Sequence, residues 1–179
     1  KLQLELMGDS PEIEELKNDI SDMEKLVDEY LNFARLDDQE KSTPVNIKNF
    51  LQNHVISYYA KMHKKINGII DLEDDLEISL KKLALKRALN NLIDNVFNYG
   101  DQVTLSAKIL NSNLLIAIED NGPGIPESER SNVFKPFYRV DNSRNLDKKT
   151  SSGGGSGLGL AIAMDAITFH GGRIELSDS

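Results

Sequence analysis

The sequence predicts an α+β fold, a two-layer α/β sandwich in which helices cover one face of a mixed β-sheet. Three observations predict it. Residues 81–99 carry apolar side chains at helical spacing, and residues 113–120 form a short apolar run typical of a buried strand. Strands and helices along the chain do not follow strict βαβ alternation, which disfavours a doubly wound parallel sheet.

The first 41 residues are predicted to form a separate helical unit. An apolar seam with 3-4-3-4-3-4 spacing runs through residues 12–36: Ile13, Leu16, Ile20, Met23, Val27, Tyr30 and Ala34. Ser10 and Pro11 are typical of a helix start, and residues 1–7 are typical of the end of an earlier helix. This hairpin favours half of a dimeric four-helix bundle; the alternative is a hairpin packed on the domain that follows.

The polar stretch 37–44, which ends in Pro44, predicts a boundary, so we assign residues 42–179 to the α+β domain. The predicted order is a helix at 46–62, strands near 66–72 and 76–79, a helix at 81–99, strands near 102–110 and 113–120, a lid at about 127–156, a helix at 158–169 and a strand at 172–177.

Composition narrows the function classes. A net charge of −8 without a basic stripe argues against nucleic acid and anionic membrane surfaces as partners. The absence of cysteine excludes disulfides and thiolate metal sites, and it is compatible with a reducing cytosol. No apolar run reaches 18 residues, so we expect any membrane-spanning segment to lie upstream of Lys1.

Three asparagines form a polar stripe on the predicted helix 81–99. Asn91, Asn95 and Asn98 lie at i, i+4 and i+7, and asparagine is a poor helix former. A neutral carboxamide oxygen can coordinate Mg²⁺ without adding negative charge beside a triphosphate. The alternative is a solvated helix edge.

A second candidate segment follows the apolar strand. Asp120 ends that strand, and Gly122 and Gly124 lie in the turn after it. A carboxylate at this position can accept a hydrogen bond from an exocyclic amine such as that of adenine, and glycines let the backbone approach a flat ring. An ordinary turn remains the alternative.

The third segment is glycine-rich and leads into a helix. Gly153 to Gly159 precede an apolar helical pattern, and a helix start offers unpaired N–H groups to phosphate. A flexible linker is the alternative, and both interpretations are compatible with a lid that closes on phosphates. No Lys-Ser or Lys-Thr follows the glycines, so this is not a P-loop.

Together these segments resemble the sensor histidine kinases of two-component systems. Residues 91–100 resemble their N box, 120–126 their first glycine box, 133–139 their F box and 155–162 their second glycine box, followed by His170-Gly171-Gly172. The similarity is greatest to kinases that pair with OmpR-like response regulators. It implies the Bergerat-type ATP-binding fold of the GHKL superfamily.

The resemblance implies a role for each motif residue. It makes Asn95 the magnesium ligand, supported by Asn91, and Asp120 the acceptor for the adenine amine, flanked by Tyr99 and Ile125. Backbone N–H groups of Gly155, Gly157, Leu158 and Gly159 are expected to hold the phosphates, and Arg139 to reach the triphosphate. Asn98 stands where the family usually has Lys or Arg, which motivates the alternative of an ATP-binding pseudokinase scaffold.

The implied function is transfer of the ATP γ-phosphoryl group to a histidine on the bundle and onward to a response regulator, with Mg²⁺ as cofactor. The phospho-accepting H box is absent from these residues, so we expect no autophosphorylation by this chain alone. The location implied is the cytoplasmic portion of a bacterial inner-membrane protein. A GHKL-type ATPase machine is the other alternative. Such a machine would need an acidic residue near the asparagines, and Asp94, one residue before Asn95, points away from the asparagine stripe. The direction of Asp94 on the helix therefore disfavours this alternative.

Overall fold

A computed structural model describes residues 40–140 and 156–177, together with eight residues between positions 13 and 24. Those eight are helical and include Ile13, Leu16, Ile20 and Met23 of the predicted seam. Val27, Tyr30 and Ala34 of the seam, and Gly155 of the predicted site, lie outside the described residues. No helix in the described part of the chain combines the length and apolar character that crossing a bilayer requires.

The described strands form two hydrogen-bonded groups. β1 (Thr43–Asn46) pairs antiparallel with β3 (Glu77–Leu80). The central strand β4 (Val103–Leu110) pairs in parallel with β2 (Ile66–Asp71) and antiparallel with β5 (Asn113–Asp120). The mixed sheet is therefore present.

The turn between β4 and β5 explains their tight hairpin. Its two residues, Asn111 and Ser112, both have positive φ (50° and 63°), as type I′ hairpin turns require. This turn pairs Leu110 with Asn113 and fixes the register along the whole hairpin, up to the pair Val103 and Asp120.

The first helix, α1, has three consecutive parts: Ile47–Phe50, a π-helical segment Leu51–Ile56, and Ser57–Lys61. Asn46 caps its start by accepting the N–H of Asn49 at 2.8 Å. Its inner face buries Ile47, Phe50, Leu51, Val55 and Tyr59, each at most 1% exposed. Apolar periodicity predicted this helix but not its π-helical middle, because one wider turn barely changes the spacing of buried residues.

Two longer helices, α2 (Lys82–Tyr99) and α3 (Gly159–Phe169), carry the asparagine stripe and the end of the glycine-rich segment. They meet through four alanines that are at most 1% exposed: Ala84, Ala88, Ala163 and Ala166. The partly buried Leu92, Ile167 and Ile174 pack against these alanines. Small side chains let the two helix backbones approach closely.

Side chains from distant parts of the chain hold the first turn of α2. The Glu40 carboxylate accepts the N–H groups of Leu83 at 2.7 Å and Ala84 at 3.0 Å. His170, at the end of α3, accepts the Lys81 N–H through Nε2 at 3.0 Å. These bonds satisfy amides that a helix start leaves without intrahelical partners.

One predicted element is wrong. Residues 172–177, expected to form a strand, are irregular and pair with no described strand. The alternation behind the prediction is real, since Ile174 and Leu176 are partly buried between exposed neighbours. A strand also needs a ladder partner, which alternation alone cannot supply.

Candidate nucleotide-binding site

The hairpin register brings Asp120 to the end of the sheet where α2 ends. Val103 begins β4 shortly after Gly100, the C-cap of α2, and it lies opposite Asp120. The carboxylate of Asp120 is exposed, and its Oδ1 accepts the N–H of Gly122 at 2.7 Å. The second oxygen, Oδ2, is an acceptor of the kind that an exocyclic amine would need.

Gly122 is required by a close approach between this turn and α2. A Cβ built on Gly122 would lie 2.7 Å from Asp120 Oδ1 and 3.3 Å from the carbonyl oxygen of Tyr99. A larger residue would therefore displace the turn from the helix end. The close approach joins the first glycine box to the N box.

Asn121 fixes the same turn and was not among the predicted site residues. Its Oδ1 accepts the N–H groups of Asp101 and Gln102 at 3.1 Å each, and its Nδ2 donates to the Asp101 carboxylate at 2.7 Å. The available signal was an asparagine directly after a strand and before glycine, where such side chains often bond the backbone.

The asparagine stripe meets the start of α3 at Asn91. A Cβ built on Gly159 would lie 3.8 Å from Asn91 Cβ and 3.9 Å from its Oδ1. The Nδ2 group of Asn91 is buried and has no hydrogen-bond partner in the structure. A buried donor without a partner costs about 1–3 kcal/mol, so this group is suited to bind a ligand oxygen.

The F box and the second glycine box are joined at Gly157. The N–H of Phe137 donates to the Gly157 carbonyl at 2.9 Å. Gly157 has φ +74°, and a Cβ built on it would lie 2.9 Å from the Phe137 backbone. Phe137 itself has φ 64°, which is unusual for a residue with a side chain, and its ring is exposed.

The remaining predicted residues take different positions. Asn95 is partly buried and makes no side-chain hydrogen bond among the described residues, whereas Asn98 and Arg139 are exposed and Tyr99 is 45% exposed. Ile125 is partly buried, with its carbonyl accepting Arg130 Nε at 3.2 Å. Gly124 has φ +70° and open space around it.

Leu158 presents only its backbone to the site. Its side chain is 3% exposed, and its N–H lies 3.3 Å from Ser156 Oγ, which accepts it. No side chain caps the first turn of α3. The N–H groups at this helix start therefore remain available to an anion, apart from that long internal bond.

Asp94 lies on another side of α2 from the asparagine stripe. Its Oδ1 is 3.0 Å from the Tyr59 hydroxyl, which donates to it. Burial, followed by the negative charge of Asp94, raises the pKa of Tyr59. An acid held by a tyrosine of α1 is poorly placed to act on a ligand beside Asn91.

Each histidine has a structural setting. His170 donates from Nδ1 to the Ala166 carbonyl at 2.6 Å and accepts at Nε2, so it is the neutral tautomer rather than a cation at the helix end. His54 lies 3.0 Å from Lys82 Nζ, and burial, then Lys82 and Lys86, lowers its pKa. His63 is in an exposed turn with φ 58°.

The motifs that meet here also identify the family. A family model described as "Histidine kinase-, DNA gyrase B-, and HSP90-like ATPase" matches residues 80–179, more than half of the chain. The chain belongs to this ATPase family. The predicted family resemblance and fold class are confirmed.

Relatives within the family are sensor kinases. Sensor protein RstB of Escherichia coli (strain K12) is 32% identical over 172 residues, which cover 94% of this chain and 39% of RstB. Sensor histidine kinase WalK of Bacillus subtilis (strain 168) is 30% identical over 167 residues, covering 88% of this chain and 26% of WalK. The chain spans less than half the length of the curated relatives it matches.

Solved structures agree. The ATP binding domain of PrrB from Mycobacterium tuberculosis has 27% identity and a TM-score of 0.57, covering 77% of this chain and 88% of that one. The histidine kinase domain of the E. coli osmosensor EnvZ has 29% identity and a TM-score of 0.55, covering 78% and 81%. Residues 80–179 thus belong to an ATPase domain of the histidine kinase type.

Proposed function

We propose that this chain binds Mg-ATP between α2, the turn after β5 and the start of α3, and serves as the catalytic domain of a two-component sensor kinase. The observation that carries the proposal is the buried, unpartnered Nδ2 of Asn91 beside Gly159. This donor lies next to the start of α3, and phosphate oxygens could accept hydrogen bonds both from Asn91 Nδ2 and from the N–H groups of that helix start.

Different residues of the chain would bind the adenine and the phosphates of the nucleotide. Asp120 would accept the adenine amine, and Gly122 and Gly124 would let the backbone approach the ring, with Tyr99 and Ile125 beside it. The N–H groups of Gly157, Leu158 and Gly159 would hold phosphate oxygens, as would Gly155, while Arg139 would add a positive charge.

Asn91 and Asn95 fit a magnesium ion because carboxamide oxygens are hard, neutral ligands. Asn95 is partly buried on the same stripe and has no competing side-chain hydrogen bond among the described residues. When bound, the ion would neutralise charge on the phosphates. The protein would contribute position and fixed backbone donors rather than a general base.

In the whole protein, the γ-phosphoryl group would pass to a histidine on a dimeric helical bundle and then to an OmpR-like response regulator. The similarity to RstB and the family model support this proposal. We also propose that residues 1–41 contribute to that bundle, that residues 42–179 are the ATP-binding domain, and that the domain faces the bacterial cytoplasm below an inner-membrane sensor.

Adjacent asparagines provide a matched test of the site. Asn90 and Asn91 each have a buried, unpartnered amide atom, but only Asn91 adjoins Gly159. We expect Asn91→Ala to weaken Mg-ATP binding by about tenfold to a hundredfold in calorimetric titration, the loss of one hydrogen bond to a charged group. Asn90→Ala should bind as the parent does.

The base site has its own pair of variants. Asp120→Asn should weaken binding of ATP, whereas Asp101→Asn removes a nearby carboxylate that pairs with Asn121 and should affect affinity much less. Equal losses from Asn90→Ala and Asn91→Ala, or unchanged affinity in Asp120→Asn, would contradict this assignment.

A further inference from the structure

A tyrosine of α1 contacts α2 at the level of the proposed nucleotide site. Tyr59 is only 1% exposed, so its ring is enclosed by the protein. Its hydroxyl donates to Asp94 Oδ1 at 3.0 Å and lies 3.2 Å from the carbonyl oxygen of Asn90. Both acceptors belong to α2 and are four residues apart, so one group of α1 contacts two successive turns of α2 on the same face.

These two contacts lie directly before the asparagines of the proposed site. Asn90 precedes Asn91, and Asp94 precedes Asn95. Successive residues of an α-helix are about 100° apart around the axis, so the tyrosine holds α2 on one side while the two asparagines project from the neighbouring side. The position of the hydroxyl is therefore linked to the position of both asparagines through less than one turn of helix.

A small rotation of α2 would move the asparagine stripe. Side-chain atoms lie about 5–6 Å from a helix axis, so a rotation of about 10° displaces a carboxamide by about 1 Å. A hydrogen bond does not survive a displacement of that size. The apolar packing of α2 is a non-directional interaction, whereas a hydrogen bond has a preferred length and angle. The Tyr59 hydroxyl is therefore suited to fix the rotation of the helix.

Two further contacts between α1 and α2 are made by lysine side chains. Lys82 Nζ lies 3.0 Å from the His54 ring, and Lys86 Nζ lies 5.2 Å from the ring centre of Tyr58. Lysine has a flexible four-carbon stem, so these side chains adjust when the backbone moves. Both lysines also lie in the first half of α2, before Asn91. They constrain the rotation of the site less than the tyrosine does.

The Tyr59 ring is held by aromatic neighbours. Its centre lies 5.7 Å from that of Phe97 on α2 and 5.3 Å from that of Tyr58 on α1. Burial, followed by the negative charge of Asp94, raises the pKa of Tyr59, so the hydroxyl keeps its proton and remains a donor. A fixed ring with a permanent donor gives the contact with α2 a defined geometry.

We propose that Tyr59 is a positioning residue for nucleotide binding: its hydroxyl, through Asp94 and the Asn90 carbonyl, sets the rotation of α2 that directs Asn91 and Asn95 toward the phosphates and the magnesium ion. The inference rests on the proposed Mg-ATP site. Tyr59 itself would not touch the nucleotide.

Removal of a single oxygen atom tests the proposal. Tyr59→Phe keeps the buried ring and loses only the hydroxyl. We expect it to bind Mg-ATP about threefold to tenfold more weakly in calorimetric titration, the effect of one hydrogen bond. Tyr58→Phe is the matched control, because the neighbouring tyrosine is 41% exposed and meets α2 through its ring. The control should bind as the parent does.

The acceptor on α2 has its own pair of variants. Asp94→Asn and Asp94→Ala both remove the negative charge, but only the carboxamide oxygen can still accept the Tyr59 hydroxyl. We expect Asp94→Asn to keep the affinity of the parent chain and Asp94→Ala to lose affinity, as Tyr59→Phe does. The double variant Tyr59→Phe with Asp94→Ala should bind no more weakly than Tyr59→Phe alone, because the two changes remove the same bond.

The position of the asparagines can also be followed without nucleotide. In nuclear magnetic resonance spectra of the chain with isotope-labelled asparagine, Asn91→Ala and Asn95→Ala identify the side-chain NH2 signals of the two residues. We expect Tyr59→Phe to shift both signals in the free protein. The signal of Asn113, at the start of β5, should not move.

The outcomes separate this proposal from the proposed nucleotide site. If the parent chain binds Mg-ATP and Asn91→Ala weakens binding, but Tyr59→Phe binds as the parent does, the positioning role is wrong and the nucleotide site is retained. A parent chain without affinity for Mg-ATP overturns both. Equal losses in Tyr58→Phe and Tyr59→Phe, or unshifted signals of Asn91 and Asn95, also overturn the positioning role. Should Tyr59→Phe fail to fold, the comparison of Asp94→Asn with Asp94→Ala decides, and equal affinities of that pair overturn the proposal.

Discussion

At the scale of single residues, the segments of the proposed site meet at glycines where a side chain would collide with the backbone. Gly157 combines positive φ with a 2.9 Å approach to Phe137, whereas Gly171 has nearly the same φ (+72°) and open space around it. Substitutions at these two glycines therefore distinguish the energetic cost of a side chain at positive φ from the additional cost of a steric clash with the Phe137 backbone.

We expect Gly171→Ala to lower the free energy of unfolding by about 1–2 kcal/mol without changing Mg-ATP affinity, because it imposes only the conformational penalty. Gly157→Ala should lower stability at least as much and weaken ATP binding more than tenfold, since it displaces the Phe137 backbone. Urea denaturation and calorimetry measure the two effects. Equal ATP affinities in the two variants would show that the collision does not matter to the site.

A second residue-scale prediction concerns pH. Burial, then the charges of Lys82 and Lys86, holds the pKa of His54 in the folded protein below its ordinary value of about 6.5, so the unfolded chain binds a proton first as pH falls. Stability should therefore decrease below about pH 6.5, because a charged His54 would be desolvated by burial and would also lie beside Lys82 and Lys86. The Gln in His54→Gln cannot titrate, so this variant should show a shallower decline in urea unfolding between pH 7.5 and 5.5. Parallel declines would exclude His54 as the cause.

At the scale of elements, the packing of α2 against α3 sets the distance between Asn91 and Gly159. Alanines allow the close contact, and His170 ties the far ends of the two helices by accepting the Lys81 N–H. The His170 ring also donates to Ala166, within its own helix. One side chain thus makes a local bond and a cross-helix bond.

Two amide variants separate these bonds. The amide of a Gln at position 170 reaches the place of Nε2 and can accept the Lys81 N–H, whereas the amide of an Asn reaches only the place of Nδ1 and can donate to Ala166. We expect His170→Gln to retain ATP affinity, and His170→Asn to lose affinity together with His170→Ala. Calorimetric titration checks the order, and matching affinities for Gln and Asn would refute the cross-helix role.

The helices and strands also show how much of the fold the sequence predicts. Apolar periodicity predicted α1, α2, α3, β4 and β5 to within a residue or two, because their burial repeats locally. It did not predict β1, whose Pro44 is unusual in a strand and whose partner β3 is distant in sequence. Nor could it predict Glu40 as the cap of α2, since that bond depends on the folded chain path.

The site followed the same rule. Local motifs suggested Asn91, Asp120, Gly157 and Gly159 as nucleotide-binding residues, and that role stays a prediction. The structure joins their motifs through the contacts of Gly122, Gly157 and Gly159. The sequence did not single out Asn121, whose value lies in bonds to residues that precede β4.

At the scale of the whole molecule, binding and transfer make different demands. Binding needs only the proposed nucleotide site, whereas transfer also needs an imidazole in line with the γ-phosphorus. Among the chain's three histidines, His170 uses both ring nitrogens internally, and His54 has Nε2 against Lys82. His63 lies in the turn before β2, on elements that contribute no residue to the proposed site.

We therefore expect this 179-residue chain to bind Mg-ATP without acquiring label from γ-labelled ATP. The measurement is acid-labile, base-stable radioactivity on the chain after incubation, compared with Asn95→Ala as the background for nucleotide that is not bound at the site. Because the pocket can be intact while the acceptor is missing, calorimetric binding together with absent label is the expected result. Label above the Asn95→Ala background would mean that one of the three histidines reaches the γ-phosphoryl group. The variant His63→Gln would then locate the labelled residue, because the rings of His54 and His170 are held by internal contacts and that of His63 is not.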